Sequence, residues 1–333
     1  MQSRDRLLAL LVAVCWGLNF PATALALQHF PPLFMVALRF ALVALPTLLL
    51  VPRPQVRLRW LIGTGLGIGV LQFAFLYLGM AAGMPSGLAS LVLQASAPFT
   101  VLLAGIFLAE RISRRQVIGI VLAVAGLAGI AAHRGETAAL LPVVLTLAGG
   151  LGWAIGNVCS RKAAAPNPFH LTLWMSVVPP LPMLAVSLYV EGPQRIGQAL
   201  STAFTPQALP AVLGLLYIVL VATLLGYGIW NTLLARYPSS SVAPFSMLVP
   251  IVGVLSSWAL LGERIDGAEA LAGLAVIGGV LIGSLPLRRH RTPRPGDPRP
   301  AAESRTSQHP GAGGQERVSG AGTDVDRRPV PQP

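Results

Sequence analysis

The stretch Pro85-Ser86-Gly87-Leu88-Ala89-Ser90-Leu91-Val92-Leu93-Gln94, interrupted by Pro98 and closed by Glu110-Arg111-Ile112, decides the fold because the chain writes it twice. Pro238-Ser239 opens a second apolar run, Pro250 interrupts it, and Glu263-Arg264-Ile265 closes it. From proline to glutamate the spacing is 25 residues in both copies, with the internal prolines one residue out of register. Each closure is followed by a glycine-rich run that begins its pattern at Gly119 or Gly273. Upstream, Trp16 with Asn19 and Trp153 with Asn157 repeat in the same way, three and four residues apart, so each pair lies on one helix face. Self-similarity over such a period marks a duplicated unit.

Working outward, each copy is a set of apolar runs long enough to cross a bilayer. About 20 mostly apolar residues are needed for a crossing. Windows of that kind lie at 7–27, 33–51, 60–80, 87–108 and 115–132, then at 139–160, 170–190, 209–229, 240–261 and 268–286. Turn formers and charges separate them: Pro31-Pro32, Pro52-Arg53-Pro54, Gly83-Met84-Pro85, Arg114-Arg115, Arg134-Gly135, Pro166-Asn167-Pro168, Arg236-Tyr237-Pro238 and Asp266-Gly267. The expected fold is an all-α membrane protein of ten transmembrane helices arranged as two inverted five-helix repeats. The first repeat covers residues 1–133 and the second 134–287. Because five is odd, the second copy enters the membrane from the opposite side, giving a pseudo-two-fold axis in the membrane plane. That architecture points to a transporter whose site lies near the midplane between the repeats and is opened to each side in turn.

Composition agrees. The chain has 333 residues, 54% hydrophobic and 11% charged, against about 25% charged in a soluble domain. A pI of 11.2 raises a nucleic-acid reading, but the basic residues sit between apolar runs or in the tail instead of on a polar face interleaved with aromatics. Arg4 and Arg6 before the first run, with Ala24-Leu25-Ala26 after it, resemble a cleavable leader; Trp16 and Asn19 inside the run and nine further runs favour a span. Cys15 and Cys159 lie in apolar runs without partners, so they imply neither a disulfide nor a metal site.

Lysine and arginine set the orientation. With the N-terminus cytoplasmic, the inside segments carry eleven (Arg4, Arg6, Arg53, Arg57, Arg59, Arg111, Arg114, Arg115, Arg161, Lys162 and Arg236), whereas the outside loops carry only Arg134, Arg195 and Arg264. Both termini are therefore expected in the cytoplasm. Residues 288–333 turn abruptly to Pro, Gly, Arg and Ser, and read as a disordered cytoplasmic tail that lacks the apolar surface to fold.

Ionisable groups inside lipid are costly and hence informative. Only Arg39 lies well inside a span; it either turns into the bundle to hold a carboxylate or snorkels to the interface. Glu110 and Glu263, beside Arg111 and Arg264 at span ends, fit a structural pair that closes a helix terminus better than a proton carrier. No Asp or Glu occupies mid-membrane, so the coupling ion stays open. The remaining candidates are neutral: Asn19, Gln72, Gln94, Ser90 and Tyr77 in the first repeat, and Trp153, Asn157, Trp174, Tyr227, Trp230 and Asn231 in the second, many of them suited equally to hydrogen bonds between helices. Of these, Asn19, Arg39, Gln72, Gln94, Trp153, Asn157, Tyr227 and Trp230 form the candidate substrate set, and Glu110, Glu263, Pro98 and Pro250 the structural repeat pairs. Gly63, Gly65, Gly67 and Gly69, with Gly119, Gly126, Gly129, Gly278, Gly279 and Gly283, suit close helix approach. The single lysine, Lys162, leaves no GxxxxGK, so ATP hydrolysis is not expected, and neither is any cofactor. An intramembrane serine-type enzyme would draw Ser86 or Ser96 together with His133 or His170.

The strings Trp16-Gly17-Leu18-Asn19-Phe20, Leu38-Arg39-Phe40, Gly87 through Gln94, Gly226-Tyr227-Gly228-Ile229-Trp230 and Val242-Ala243-Pro244, with the two Glu-Arg closures, resemble the EamA family of the drug/metabolite transporter superfamily. The resemblance covers residues 5–286, and the longer strings are most similar to bacterial exporters of O-acetylserine and cysteine. It implies gradient-driven efflux of small amino-acid-type metabolites across a bacterial inner membrane. A zwitterionic substrate then places its carboxylate at Arg39 or at a broken-helix N-terminus near Pro98 or Pro250, and its ammonium at Asn or Gln groups. A homodimer is compatible with this pattern, and other small metabolites or drugs remain alternative cargo.

Overall fold

Ten helices long and apolar enough to cross a membrane follow one another, at Ser3–Leu27, Pro32–Leu50, Leu58–Ala81, Ser86–Leu108, Arg114–Gly135, Leu141–Ala163, Pro168–Val190, Pro206–Arg236, Pro244–Leu261 and Gly267–Ser284. They are called spans 1 to 10 here. The computed structural model describes residues 1–137 and 140–284; the expected tail at 288–333 and the end of the second repeat lie outside the described residues. Helix is the natural outcome, since in lipid each backbone N–H and C=O must find its partner within the segment. Proline marks several starts, where its missing N–H costs nothing: Pro32, Pro142, Pro168, Pro193 and Pro206.

Packing follows the duplication. Span 1 packs against spans 8 and 9, while span 6 packs against spans 3 and 4. Exchanging the repeats turns one set into the other. Spans 2 and 7 face each other, as do spans 5 and 10, so these pairs lie across the pseudo-two-fold axis. Small residues permit the close crossings: a Cβ on Gly67 would stand 2.4 Å from the backbone nitrogen of Gly156, and one on Gly119 would stand 2.4 Å from the carbonyl of Gly279. The first run is thus an integral wall of the bundle.

Three local departures from regular helix recur in both repeats. A π-helical segment occupies Gly65–Gln72 in span 3 and Tyr217–Leu225 in span 8. Spans 4 and 9 are interrupted just ahead of their internal prolines, by a 3₁₀ turn at Leu93–Ala95 and by a break at Met247. Backbone there stays in the right-handed helical region, so the prolines bend a continuous span and do not open a free helix N-terminus. Finally, spans 4 and 9 both end on a left-handed residue, Ala109 (φ 53°) and Gly262 (φ 68°), directly before the Glu-Arg pairs.

The two ends of the bundle are fastened differently. At the end where span 2 begins and span 9 finishes, Glu191 accepts from the N–H groups of Leu33 (2.7 Å) and Phe34 (2.9 Å), capping span 2 from the end of span 7. His133 and Arg134 face Asp266 and Glu269 at 3.1 Å each, joining spans 5 and 10. At the opposite end the cross-span links include Tyr237 donating to Asp5 (2.6 Å) and Arg161 paired with Glu110.

Candidate functional site

Arg39 stands on span 2 and is only 3% exposed, so it has turned into the bundle and does not snorkel. Its Nη1 donates to the Tyr77 hydroxyl (2.8 Å) and its Nη2 to Thr223 Oγ1 (3.0 Å). The guanidinium carbon lies 3.9 Å from the centroid of the Phe73 ring and 5.4 Å from that of Phe40. These contacts solvate a cation with hydroxyls and π-faces, yet they supply no counter-charge. None of the ion pairs among the described residues includes Arg39, and its Nε has no hydrogen-bond partner.

The π-segments aim these side chains. Thr223 lies within the segment of span 8, where its hydroxyl donates to the carbonyl of Ile218 five residues back (2.8 Å). Gln72 ends the segment of span 3, and Phe73 and Tyr77 follow it directly. Widened turns of this kind are frequent at functional sites because they re-aim one face of a helix without breaking it.

Next to the arginine lies an aromatic wall. Trp16 of span 1 packs with its ring centroid 5.1 Å from those of both Tyr227 and Trp230 of span 8, tilted by 53° to each, and its indole N–H donates to the Ala222 carbonyl (2.9 Å). Tyr227 stands one turn beyond Thr223, the partner of Arg39, on the same face of span 8. Asn19 is one turn along span 1 from Trp16, on the same face. Besides Arg39 Nε, the buried side-chain atoms without a partner among the described residues are Asn19 Oδ1 and Gln72 Oε1. Spans 1 to 3 thus each hold one such atom, a cationic donor on span 2 and acceptors on spans 1 and 3.

Expected site residues fall into two groups. Arg39, Tyr227 and Trp230 belong to this cluster, while Asn19 lies one turn along span 1 from Trp16 and Gln72 precedes Phe73 in span 3. Trp153 and Asn157 form a second group on span 6, with the indole donating to Asn157 Oδ1 (3.0 Å) and Asn157 Nδ2 to Thr100 Oγ1 of span 4 (3.3 Å). Gln94 sits in the 3₁₀ turn that packs on span 6. Other polar candidates make bonds within or between helices: Trp174 to the Val51 carbonyl, Asn231 to that of Tyr227, and Ser90 to those of Gly87 and Pro250. Sequence reasoning did not single out Phe73 or Thr223, which look like any other residues of an apolar span, and it did not place Trp16 in the candidate substrate set.

Of the repeat pairs, Glu263 does not close its own helix with Arg264. It accepts from the N–H groups of Ser86 and Gly87 (2.9 Å each) and from the Ser86 hydroxyl (2.9 Å), at the start of span 4. Glu110 pairs instead with Arg161 at the end of span 6. Ser86, bound to Glu263 and also to Ser257 Oγ (2.7 Å), and His133, facing Asp266, are engaged separately, so the serine-histidine pairing of a hydrolase is not built from them.

The sequence pattern of the EamA-like transporter family matches residues 6–132 and 140–285, one match for each repeat. The chain belongs to the EamA-like transporter family. It is a multi-pass membrane transporter and not an enzyme. Among EamA relatives, one named a probable amino-acid metabolite efflux pump in Salmonella typhimurium is 43% identical over 300 residues, which cover 88% of this chain and 99% of that one. Its namesake in Escherichia coli is 41% identical over 294 residues, covering 86% and 97%. A solved crystal structure superposes with a TM-score of 0.54 at 18% identity, covering 85% of this EamA chain and 96% of the other, a likeness of fold alone.

Proposed function

We propose that this EamA protein exports small zwitterionic amino-acid-type metabolites, O-acetylserine or cysteine among them, from the cytoplasm by gradient-driven alternating access. The observation that carries this reading is Arg39. A buried cation without a carboxylate leaves a strong demand for an anion, and its free Nε is a charge-assisted donor suited to a carboxylate. Asn19 Oδ1 and Gln72 Oε1 supply acceptors for an ammonium group, and Trp16, Tyr227 and Trp230 supply an apolar wall for the rest of a small molecule. The efflux pumps similar to this chain are named for amino-acid metabolites, which supports the same cargo.

The setting is a bacterial inner membrane with both termini in the cytoplasm, as the lysine and arginine bias requires, and residues 1–133 and 134–287 are the two repeats that rock about the site. In this orientation the end carrying Ser86 and Glu263 faces outward.

The test is excretion. Cells expressing the chain and loaded with labelled cysteine precursors are compared with an empty-vector control, with a non-metabolised sugar as counter-substrate. Raised extracellular O-acetylserine or cysteine, abolished by an uncoupler, is the expected result. No rise from a chain shown to be inserted in the membrane overturns the cargo assignment.

A further inference from the structure

The chain carries two copies of one carboxylate closure, and the structure uses them unequally. Glu263 crosses to the start of span 4 and takes two N–H groups there, with Oε1 on Ser86 N and Oγ and Oε2 on Gly87 N. Contact is close enough that a Cβ on Gly87 would lie 3.5 Å from Glu263 Oε2 and 3.3 Å from Ser257 Cβ. A carboxylate at a helix N-terminus meets unsatisfied donors and the positive end of the macrodipole. Beneath it spans 4 and 9 touch tightly, with Ser90 against Pro250 and Gly253.

Glu110 stands at the equivalent place in the other repeat, and the seat matching Ser86-Gly87 is the start of the ninth apolar run at Ser239-Ser240. Yet Glu110 pairs with Arg161 of span 6, with both side chains about half exposed (46% and 50%). A polar cleft of about 90 Å³ opens beside it, lined by Thr100, Gln116, Arg111 and Arg161 among others.

We propose that Glu263 and Glu110 are the two halves of a reciprocal latch on spans 4 and 9. With Glu263 seated on span 4, as here, the Ser86 end is closed and the Glu110 end is open. In the opposite state Glu263 leaves Ser86 and Gly87, and Glu110 exchanges Arg161 for the backbone N–H groups of Ser239 and Ser240. The sequence symmetry supplies the second seat, and alternating access seats one closure while the other is released.

The experiment needs no substrate, so its outcome is independent of which metabolite is carried. In a chain with Cys15→Ser and Cys159→Ser, Ser90→Cys serves as a reporter; Ser90 is 2% exposed and one turn below Ser86. A membrane-impermeant maleimide is added from the Glu263 side. Loss of charge-assisted bonds in Glu263→Gln is expected to raise the labelling rate by about tenfold or more, whereas Glu110→Gln leaves it unchanged or lower. Equal rates in Glu263→Gln and the parent, or a rise of the same size in Glu110→Gln, overturn the latch. Should Glu263→Gln fail to insert, Ser257→Ala removes the partner of Ser86 Oγ without touching charge; a smaller rise in the same direction is expected, and no rise overturns the proposal.

Discussion

Under the proposed function, Arg39 is the residue at which stability and function pull apart. Burying an unpaired cation costs several kcal/mol even after relaxation, and each of Asn19 Oδ1 and Gln72 Oε1 left unpaired adds about 1–3 kcal/mol. An apolar residue of similar size relieves the first cost. Arg39→Met is therefore expected to keep or raise the melting temperature of the purified protein while lowering transport by at least about tenfold. A fall in both together, read by thermal unfolding beside the excretion assay, would make Arg39 a structural residue only. Arg39→Lys is expected to fail as well, because an ammonium cannot hold Tyr77, Thr223 and a carboxylate with one fixed fork. Asn19→Ala or Gln72→Leu is expected to raise the substrate concentration for half-maximal transport by about tenfold, the worth of one hydrogen bond to a charged group. An unchanged half-maximal concentration excludes that residue from the ammonium subsite.

At the scale of elements, what the sequence could convey depends on how local the signal is. Span positions were legible because length and apolarity are properties of the run itself, and the duplication because Pro85 and Pro238 stand the same distance from their glutamates. Arg39 was legible as the lone charge in an apolar run. Its partners were not: Thr223 lies 184 residues away, and nothing in Tyr217–Leu225 distinguishes a π-segment from an ordinary helix, since widening depends on neighbours and not on residue type. Glu263 was legible as a group that closes a helix terminus, but not which one, since its seat is on another span. The shared left-handed closures offer a test of the repeat at this scale. Ala109 carries a Cβ where its counterpart Gly262 has none, so Ala109→Gly is expected to stabilise by about 1 kcal/mol and Gly262→Ala to destabilise by as much, measured as opposite shifts in melting temperature. Gly67→Val is expected to cost at least about 1–3 kcal/mol through overpacking on Gly156; a melting temperature equal to the parent's would mean that spans 3 and 6 can part without cost.

For the whole molecule, the fastened end predicts an acid limit. Asp266, bonded to the Ala268 N–H and facing His133, has its carboxyl held below the ordinary 3.8. A carboxyl depressed by folding contributes stability that is fully present above the unfolded value and is lost as pH falls through the folded one. Melting temperatures are therefore expected to show no contribution from Asp266 to any slope between neutrality and about pH 5 and to lose its share only below 3.8, with Asp266→Asn flattening that acid limb; an identical limb in the variant removes Asp266 as its cause.

The guanidinium without a counter-charge also makes the empty carrier an electrical object. Loaded with a carboxylate, the site is neutralised; unloaded, it presents a positive charge to whichever side has access. An inside-negative potential acts on such a charge with up to about 2.3 kcal/mol per 100 mV, if the whole field falls across the site. Under the proposed function, it draws the empty protein toward cytoplasmic access, so that voltage resets the cycle. In sealed vesicles with a potassium diffusion potential, export is expected to quicken as the cytoplasmic side is made more negative, and a rate indifferent to voltage would mean that Arg39 never stands uncompensated during turnover.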